Sequence, residues 1–196
     1  MTRLSAVLTA LDLPLAELSA ARLDGELFAI DEAYSPIDVP DGPTERARSI
    51  APYCQGRLMA EQNSAAWIWG ARANPPTFHE LCASLGARGR PAFPLRTLVR
   101  EVVIDEMEFV VLGGVPVTTP LRTIVDLARF TEPFDAEAAT TVSELIHLGR
   151  LTIEECLIEL DRRHNLPNKK RAKARLAGLG ESSPILAERL RHVPLV

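Results

Sequence analysis

The sequence has 196 residues, of which 46% are hydrophobic, and a formal net charge of −4 at pH 7. A chain of this length can bury about 70% of its unfolded surface, so it needs no disulfide bond or metal ion to fold. Its three cysteines lack metal-ligand spacing, and no apolar run is long enough for a signal peptide or a membrane span. We therefore predict a cytoplasmic protein with buried thiols at Cys54, Cys82 and Cys156, and no membrane partner.

The charge is strongly segregated along the chain. Residues 1–41 carry eight acidic residues against two arginines. A basic surface attracts phosphates whatever the net charge, whereas an acidic surface repels them. Positive charge is concentrated in two basic clusters, one within residues 72–100 and one within residues 169–175. The alternative to a phosphate-binding role is that these clusters are solvated faces or turns. If nucleic acid binds, the predicted contacts are Arg88, Arg90, Arg96, Arg100, Lys169, Lys170, Arg171, Lys173 and Arg175.

The first residues read as two short helices followed by a hairpin. Apolar residues recur at helical spacing over 3–11, and a second helix begins at Pro14 and ends before Gly25. Residues 26–30 are strand-like, and 33–34 are a candidate return strand. This order is that of a minimal winged helix, or else of an unrelated N-terminal cap. Residues 35–43, with three prolines and a glycine, predict a linker.

The middle of the chain predicts a small antiparallel sheet packed by helices, which makes the fold class α+β. A helix is expected over 44–51, and Asn63 can cap a second helix over 64–69. That helix is apolar almost all round, which favours core packing of its two tryptophans over a platform for stacking bases. A turn at Gly86, Gly89 and Pro91 separates the first two strands. The strand-like stretches are 77–82, 93–99, 101–104 and 108–112.

The stretch Gly113–Phe130 has the densest local pattern in the chain. Residues 115–117 are strand-like, after which Thr119 can cap a helix that has Pro120 at its first position. Arg122 and Asp126 are four residues apart in this helix, so their side chains can form an ion pair.

The remainder of the chain is predicted to be entirely helical. Asp135 caps a helix that ends near Leu148, and Thr152 with Glu155 forms the capping box of the next helix. A basic helix follows over 167–176, and Pro184 begins a final one.

Catalytic motifs are not apparent in the sequence. The four histidines are scattered, without the spacing of a metal site. There is no phosphate-binding Gly-x-x-x-x-Gly-Lys loop and no Gly-x-Ser-x-Gly nucleophile elbow. We therefore predict a non-enzymatic protein with no catalytic, cofactor-binding or metal-binding residues.

Three segments stand out by their order and spacing: Asn63–Gly70, Gly114–Pro120 and Arg122–Arg129. Together they resemble the AbiEi-like antitoxins of type IV toxin–antitoxin systems, and the likeness extends over about residues 13–165. The resemblance implies an N-terminal winged helix that binds operator DNA and represses its own operon. It also implies an antitoxin domain that opposes a nucleotidyltransferase-like toxin. The implied organisation is a reduced winged-helix-like module at 1–41, an antitoxin domain at 42–165 and a basic helical tail at 166–196.

In this resemblance Pro14–Gly25 takes the place of the recognition helix and Glu26–Tyr34 that of the wing. A groove-reading helix needs donors aimed at bases and phosphates, but this helix offers Arg22 beside acidic neighbours. We therefore expect the basic clusters to carry more of any DNA affinity. Winged-helix repressors often read two-fold sites, so a homodimer is expected by analogy.

Two alternatives remain open at this stage. The first is a protein-interaction module without DNA binding, which sequesters a toxin through its acidic N-terminal face or through apolar residues of the antitoxin domain. The second is a degenerate relative of an endonuclease-fused family. Residues 175–191 resemble the junction at which longer relatives begin a very-short-patch-repair-like endonuclease domain. Glu181 and Glu188 alone do not make the metal site that such a nuclease needs.

Overall fold

The computed structural model describes residues 6–85, 96–163 and 165–182, with side chains described as far as residue 180. The chain divides into two compact units, Met1–Thr119 and Pro120–Val196, which we call the sheet unit and the helical unit. The predicted boundaries after residues 41 and 165 do not coincide with this division. The reason lies in the core, because Ile30 and Ala33 are buried in the same hydrophobic cluster as Ile50 and Trp67.

The N-terminal part of the sheet unit contains one α-helix and one hairpin. Helix α1 is Leu15–Leu23, strand β1 is Leu27–Ile30, and strand β2 is Ala33–Pro36. The two strands pair antiparallel, with Ile30 opposite Ala33. The predicted second helix, strand and return strand are therefore confirmed.

The helix predicted over 3–11 is wrong for the residues that are described. Leu8 instead forms an antiparallel bridge with Tyr34. The backbone N–H of Thr9 donates to the Asp12 carboxylate at 2.8 Å, and the Asp12 N–H donates to the Thr9 carbonyl at 2.9 Å. Such local side-chain bonds offer the backbone an alternative to helical hydrogen bonding. Consequently Val7 and Leu8 are both buried, whereas Leu11 is 89% exposed.

Two further helices flank a strand that the sequence pattern did not reveal. Helix α2 is Pro43–Ser49, strand β3 is Leu58–Ala60, and helix α3 is Gln62–Ile68. The residue that precedes α3 is Glu61, so the predicted capping position at Asn63 is wrong. The Asn63 N–H instead donates to the Glu80 carboxylate at 2.7 Å.

The main sheet is mixed, which corrects the prediction of an antiparallel one. Four further strands are β4 His79–Ser84, β5 Thr97–Val102, β6 Phe109–Leu112 and β7 Val115–Thr118. They join β3 in the order β5-β4-β3-β7-β6. The β3–β4 and β6–β7 pairs are antiparallel, whereas β3–β7 and β4–β5 are parallel. Between two parallel strands the chain must return to the end of the sheet at which the first strand began, so β4 and β5 cannot be joined by a tight hairpin.

The strand predictions otherwise need two adjustments. The two stretches predicted over 93–99 and 101–104 form the single strand β5 within the described residues. The turn predicted at Gly86, Gly89 and Pro91 lies outside the described residues.

One face of the sheet carries the main core. Side chains of β3, β4 and β7 pack there with residues of α2 and α3. Trp67 is 2% exposed, which confirms its predicted role in the core. Trp69 is partly buried, and its indole Nε1–H donates to the Thr118 carbonyl at 2.8 Å. These contacts position α3 across the sheet.

The helical unit consists of four helices among the described residues. Two of the predicted N-terminal caps are confirmed: the Asp135 carboxylate accepts the Ala138 N–H at 3.0 Å, and Thr152 and Glu155 form a capping box. The predicted basic helix begins near its expected start but continues to Ser182. The helix predicted from Pro184 lies outside the described residues. The four helices are α4 Pro120–Phe130, α5 Ala136–Leu148, α6 Ile153–Arg162 and α7 Lys169–Ser182.

A buried ion cluster lies on α4. The Asp126 carboxylate accepts from Arg122 Nε at 2.9 Å and from Arg129 Nη1 at 3.0 Å. All three side chains are at most 6% exposed. The predicted Arg122–Asp126 pair is confirmed, and Arg129 is an additional member that the spacing also permits.

The three cysteines are free and buried, as predicted. Burial raises the pKa of the Cys54 thiol to about 12. Such a thiol is protonated at neutral pH and is a poor nucleophile. Among the described residues, no helix combines the length and the hydropathy needed to cross a membrane.

Candidate nucleic-acid interface

Helix α7 carries five of the nine predicted nucleic-acid contacts. Ala172, Leu176 and Leu179 are buried at helical spacing and attach the helix to the rest of its unit. Because these apolar residues face the core, the basic side chains of the first two turns lie on the other sides of the helix. The five basic residues are Lys169, Lys170, Arg171, Lys173 and Arg175.

The loop before α7 reverses the chain through two asparagines. Asn165 and Asn168 have φ angles of +58° and +62°. Asparagine tolerates this left-handed conformation better than most residues. The loop and the first turns of α7 together enclose an open depression of about 670 Å³. It is lined by Asn165, Leu166, Asn168, Lys169, Lys170, Arg171 and Lys173.

The sequence analysis missed the two asparagines. Their amide groups can donate to phosphate oxygens or to base edges, as lysines and arginines do. The sequence held a weak indication of this loop conformation, because asparagine adopts the left-handed region more readily than most residues.

Two acidic residues partly neutralise this surface. The Asp161 carboxylate, at the end of α6, forms ion pairs with Lys173 Nζ at 2.6 Å and with Lys169 Nζ at 3.3 Å. The hydrogen bond from Lys173 lowers the pKa of Asp161, and the positive charge of Lys169 adds to this effect. Lys170 is exposed and forms no ion pair with any residue in the described part of the chain. The second acidic residue is Glu132, after α4.

The two arginines of α7 differ from the lysines in their contacts. Arg171 donates to the Arg129 carbonyl at 2.8 Å, and Arg175 donates to the Ala128 carbonyl at 3.0 Å. Both also pair with the Glu132 carboxylate. Positive groups at the C-terminal end of a helix satisfy its last carbonyls, so these arginines stabilise the end of α4.

Lys169, Lys173 and the two arginines thus all have local carboxylate partners, whereas Lys170 has none in the described part of the chain. We call five of the residues that line the depression the lysine surface: Lys169, Lys170 and Lys173 with the asparagines Asn165 and Asn168.

Arg96 and Arg100 lie in the sheet unit and face buried carboxylates. Arg96 Nη2 lies 3.0 Å from Asp31 Oδ1. Arg100 binds Glu61 in a bidentate manner, at 2.5 and 2.6 Å. Because each guanidinium has a local counter-charge, its attraction for a distant phosphate is weakened. The remaining predicted contacts, Arg88 and Arg90, lie outside the described residues.

A buried chain of hydrogen bonds in the sheet unit has the residue types of a hydrolase triad. His79 Nε2 lies 2.9 Å from Asp31 Oδ2, and His79 Nδ1 lies 3.2 Å from Ser64 Oγ. The Ser64 hydroxyl in turn accepts the Glu80 N–H at 2.8 Å.

This chain does not have the exposure that a nucleophile needs. Ser64 and His79 are both 0% exposed, so no substrate in solvent can reach the hydroxyl. A catalytic serine must present its oxygen to the scissile group. The arrangement instead satisfies buried polar groups.

The Asp31 end of the chain joins the hairpin to the sheet. Burial raises the pKa of the Asp31 carboxyl, but the hydrogen bond and charge of His79, followed by those of Arg96, outweigh burial and lower it overall. The hydrogen bond from Tyr53 lowers the pKa of the neighbouring Glu32, and Arg96 lowers it further. Both carboxylates are therefore ionised at neutral pH.

The sequence matches no protein-family model and no curated protein. Among solved structures, the chain is similar to the crystal structure of the RV2827C protein from Mycobacterium tuberculosis. The two share 17% sequence identity with a TM-score of 0.49, over 98% of this chain and 78% of that one. We therefore base the functional proposals on the contacts of this chain's own residues.

Proposed function

We propose that this protein is a non-enzymatic, antitoxin-like regulator that binds DNA through the lysine surface of its helical unit. The observation that carries the proposal is the depression at the start of α7, which lysine and asparagine residues line together. Lysines neutralise phosphates and release counterions, and amides add hydrogen bonds to the backbone or to base edges. The resemblance to AbiEi-like antitoxins supplies the regulatory context of the proposal, including an opposing nucleotidyltransferase-like toxin.

The charge distribution of the sheet unit supports this choice of surface. Helix α1, which takes the place of a recognition helix in the resemblance, exposes Glu17 and has Asp24 at its end. An acidic helix is repelled by the phosphate backbone. The lysine surface therefore suits DNA better than the winged-helix position does.

A salt titration tests the proposal. The probe is a fluorescent duplex of the promoter upstream of the protein's own reading frame, with a scrambled duplex beside it. We expect binding that weakens steeply between about 50 and 200 mM salt, with a slope of about −0.9 in log K against log salt for each phosphate contact. Replacing Lys170 and Lys173 with alanine together should make this slope shallower by about 1–2, because Lys170 has no carboxylate partner among the described residues and Lys173 must leave Asp161 to contact a phosphate.

The matched controls are Arg22→Ala and Arg57→Ala, which remove exposed arginines from the sheet unit. They should leave the slope unchanged. The proposal is overturned if the wild-type protein shows no binding at low salt, or if the double lysine variant keeps the wild-type slope.

A single substitution should strengthen DNA binding. Asp161→Ala removes the carboxylate that holds Lys173, so this ammonium group becomes available to phosphates, whereas Lys169 keeps the Asp161 and Arg163 carbonyls as acceptors. We expect the affinity at low salt to rise by roughly threefold to tenfold, because the surface gains one unit of positive charge at close range. Fluorescence anisotropy measures the change.

Glu144→Ala is the charge-matched control for this variant, since Glu144 is an exposed acidic residue of α5. An equal gain in affinity from both variants would indicate a general charge effect and would contradict a local role for Asp161.

The second candidate function is a protein-interaction module that opposes a toxin without binding DNA. The exposed acidic surface of the N-terminal part favours it. Co-expression with the product of an adjacent nucleotidyltransferase reading frame, followed by co-purification, distinguishes it from the first. Co-purification together with an absence of DNA binding would favour this second candidate.

A further inference from the structure

Helix α1 leaves most of its apolar surface in solvent. Leu18 is its one buried residue and attaches it to the hairpin. Leu15 is 60% exposed and Leu23 is 88% exposed, and Leu11, just before the helix, is 89% exposed. Contiguous exposed apolar residues on a folded protein mark interaction sites.

The exposed apolar residues of α1 lie on one side of the helix, with Glu17 and Arg22 on its two flanks. Ala16, Ala20 and Leu23 are exposed and spaced by four and three residues, which places them on a common stripe. Two alanines in this stripe allow another helix to approach closely. We call this stripe, with Leu15, the α1 face.

The charges around the α1 face are almost all negative. Four acidic residues are exposed beside it, and none of them forms an ion pair with a residue in the described ranges. The single basic residue of the helix is Arg22. The four acidic residues are Asp12, Glu17, Asp24 and Glu26.

This combination decides which occupant suits the face. DNA and anionic lipid are repelled by the carboxylates. A second copy would place the same acidic surround against itself across a two-fold axis, which like charges oppose. A helix with an apolar stripe and basic flanks matches both the apolar stripe and the negative charges.

We propose that the α1 face is the docking site for a basic amphipathic helix of a partner protein. Leu15, Ala20 and Leu23 bury apolar side chains of that helix, and the acidic residues around them steer and orient it. This proposal does not rest on DNA binding by the lysine surface, because the two sites use different residues.

A designed peptide tests the proposal with the full-length protein. The probe is a fluorescent helical peptide of leucine and lysine, with leucines on one stripe, and the comparison is the same peptide with glutamate in place of lysine. We expect saturable binding of the lysine peptide that is at least tenfold weaker for the Leu15→Ser/Leu23→Ser variant. The glutamate peptide should not bind.

Matched substitutions separate the α1 face from general charge and apolar effects. Glu17→Lys should weaken binding severalfold, whereas Glu144→Lys, on α5, should not. Ile158→Ser removes an exposed apolar side chain of α6 and should also leave binding unchanged. All of these positions are exposed, and circular dichroism verifies that each variant is folded.

Three results would overturn the proposal. The first is peptide binding that is unaffected by the Leu15→Ser/Leu23→Ser variant, and the second is equal binding of both peptides. The third is a concentration-dependent dimer, seen by sedimentation velocity, that Leu23→Ser abolishes, because the occupant is then a second copy. The Lys170→Ala/Lys173→Ala variant should keep wild-type peptide binding, so failure here is distinguishable from failure of the DNA proposal.

Discussion

Replacement of Asp126 with alanine should destabilise the helical unit by about 3–5 kcal/mol, the largest effect that we expect from a single substitution. The side chain of Asp126 is 1% exposed and neutralises two arginines that are each 6% exposed. Removing the carboxylate leaves two buried positive charges without that partner. Urea denaturation followed by circular dichroism measures the loss as a lower free energy of unfolding.

The control for this prediction is Asp161→Ala, which also removes an aspartate that pairs with two basic residues. Asp161 is 57% exposed, so water solvates its lysines when the carboxylate is lost. Ion pairs between exposed groups contribute little to stability. The interpretation of Asp126 as the partner of two buried arginines fails if Asp126→Ala and Asp161→Ala have the same urea denaturation midpoint.

The second large effect concerns Asp31 in the sheet unit. Asp31→Ala leaves the buried His79 Nε2–H without its acceptor, which costs about 1–3 kcal/mol. The φ of Asp31 is +54°, a conformation that alanine adopts less readily, so about 1 kcal/mol is added. Asp31→Asn is the informative partner variant because asparagine tolerates this conformation and removes only the charge.

The same residue makes stability depend on pH at the acidic end. The pKa of Asp31 in the folded protein lies below its ordinary value of 3.8, so folding favours the ionised form. Its contribution is fully present above pH 3.8 and is lost as the pH falls through the lower folded value. The free energy of unfolding of the wild-type protein should therefore fall more steeply below about pH 4 than that of Asp31→Asn.

Thermal unfolding at several pH values between about 2.5 and 6 tests this expectation. Glu32 remains in both proteins, so the difference between their curves reports Asp31. Parallel curves for the two proteins would contradict the assignment of this acid sensitivity to Asp31.

Local patterns in the sequence predicted the helical unit well. Two of its helices begin with a cap that acts on neighbouring residues, as Asp135 and Thr152 do, and α4 begins at Pro120. The Arg122–Asp126 pair followed from a spacing of four residues alone. Such interactions are fixed within one turn of a helix, so the sequence contains them directly.

The sheet was harder to predict because its determinants are distant in sequence. Strand β3 has three residues, all buried, which gives no alternation to recognise. Its pairing with β7 depends on a contact between Ala60 and Val117, which no local pattern specifies. The antiparallel prediction failed for the same reason.

The sequence indicated the basic residues of the candidate site but not the partners of their side chains. Charge clustering indicated α7, because a run of basic residues is visible in sequence. Which of those residues are neutralised could not be predicted, since Asp161 and Glu132 come from other segments. The partners of Arg96 and Arg100 were hidden in the same way, as Asp31 and Glu61 lie 65 and 39 residues away.

The central position of β3 also has a consequence for synthesis of the protein on the ribosome. This three-residue strand is the only link between the β4–β5 pair and the β6–β7 pair in the described sheet. A nascent chain that ends before Val117 has no partner for the second side of β3, so it exposes that edge and the apolar residues beside it. Completion of the sheet must therefore wait until the segment that leads into α4 has left the exit tunnel. The sheet unit and the first helix of the helical unit thus become available for folding at nearly the same moment.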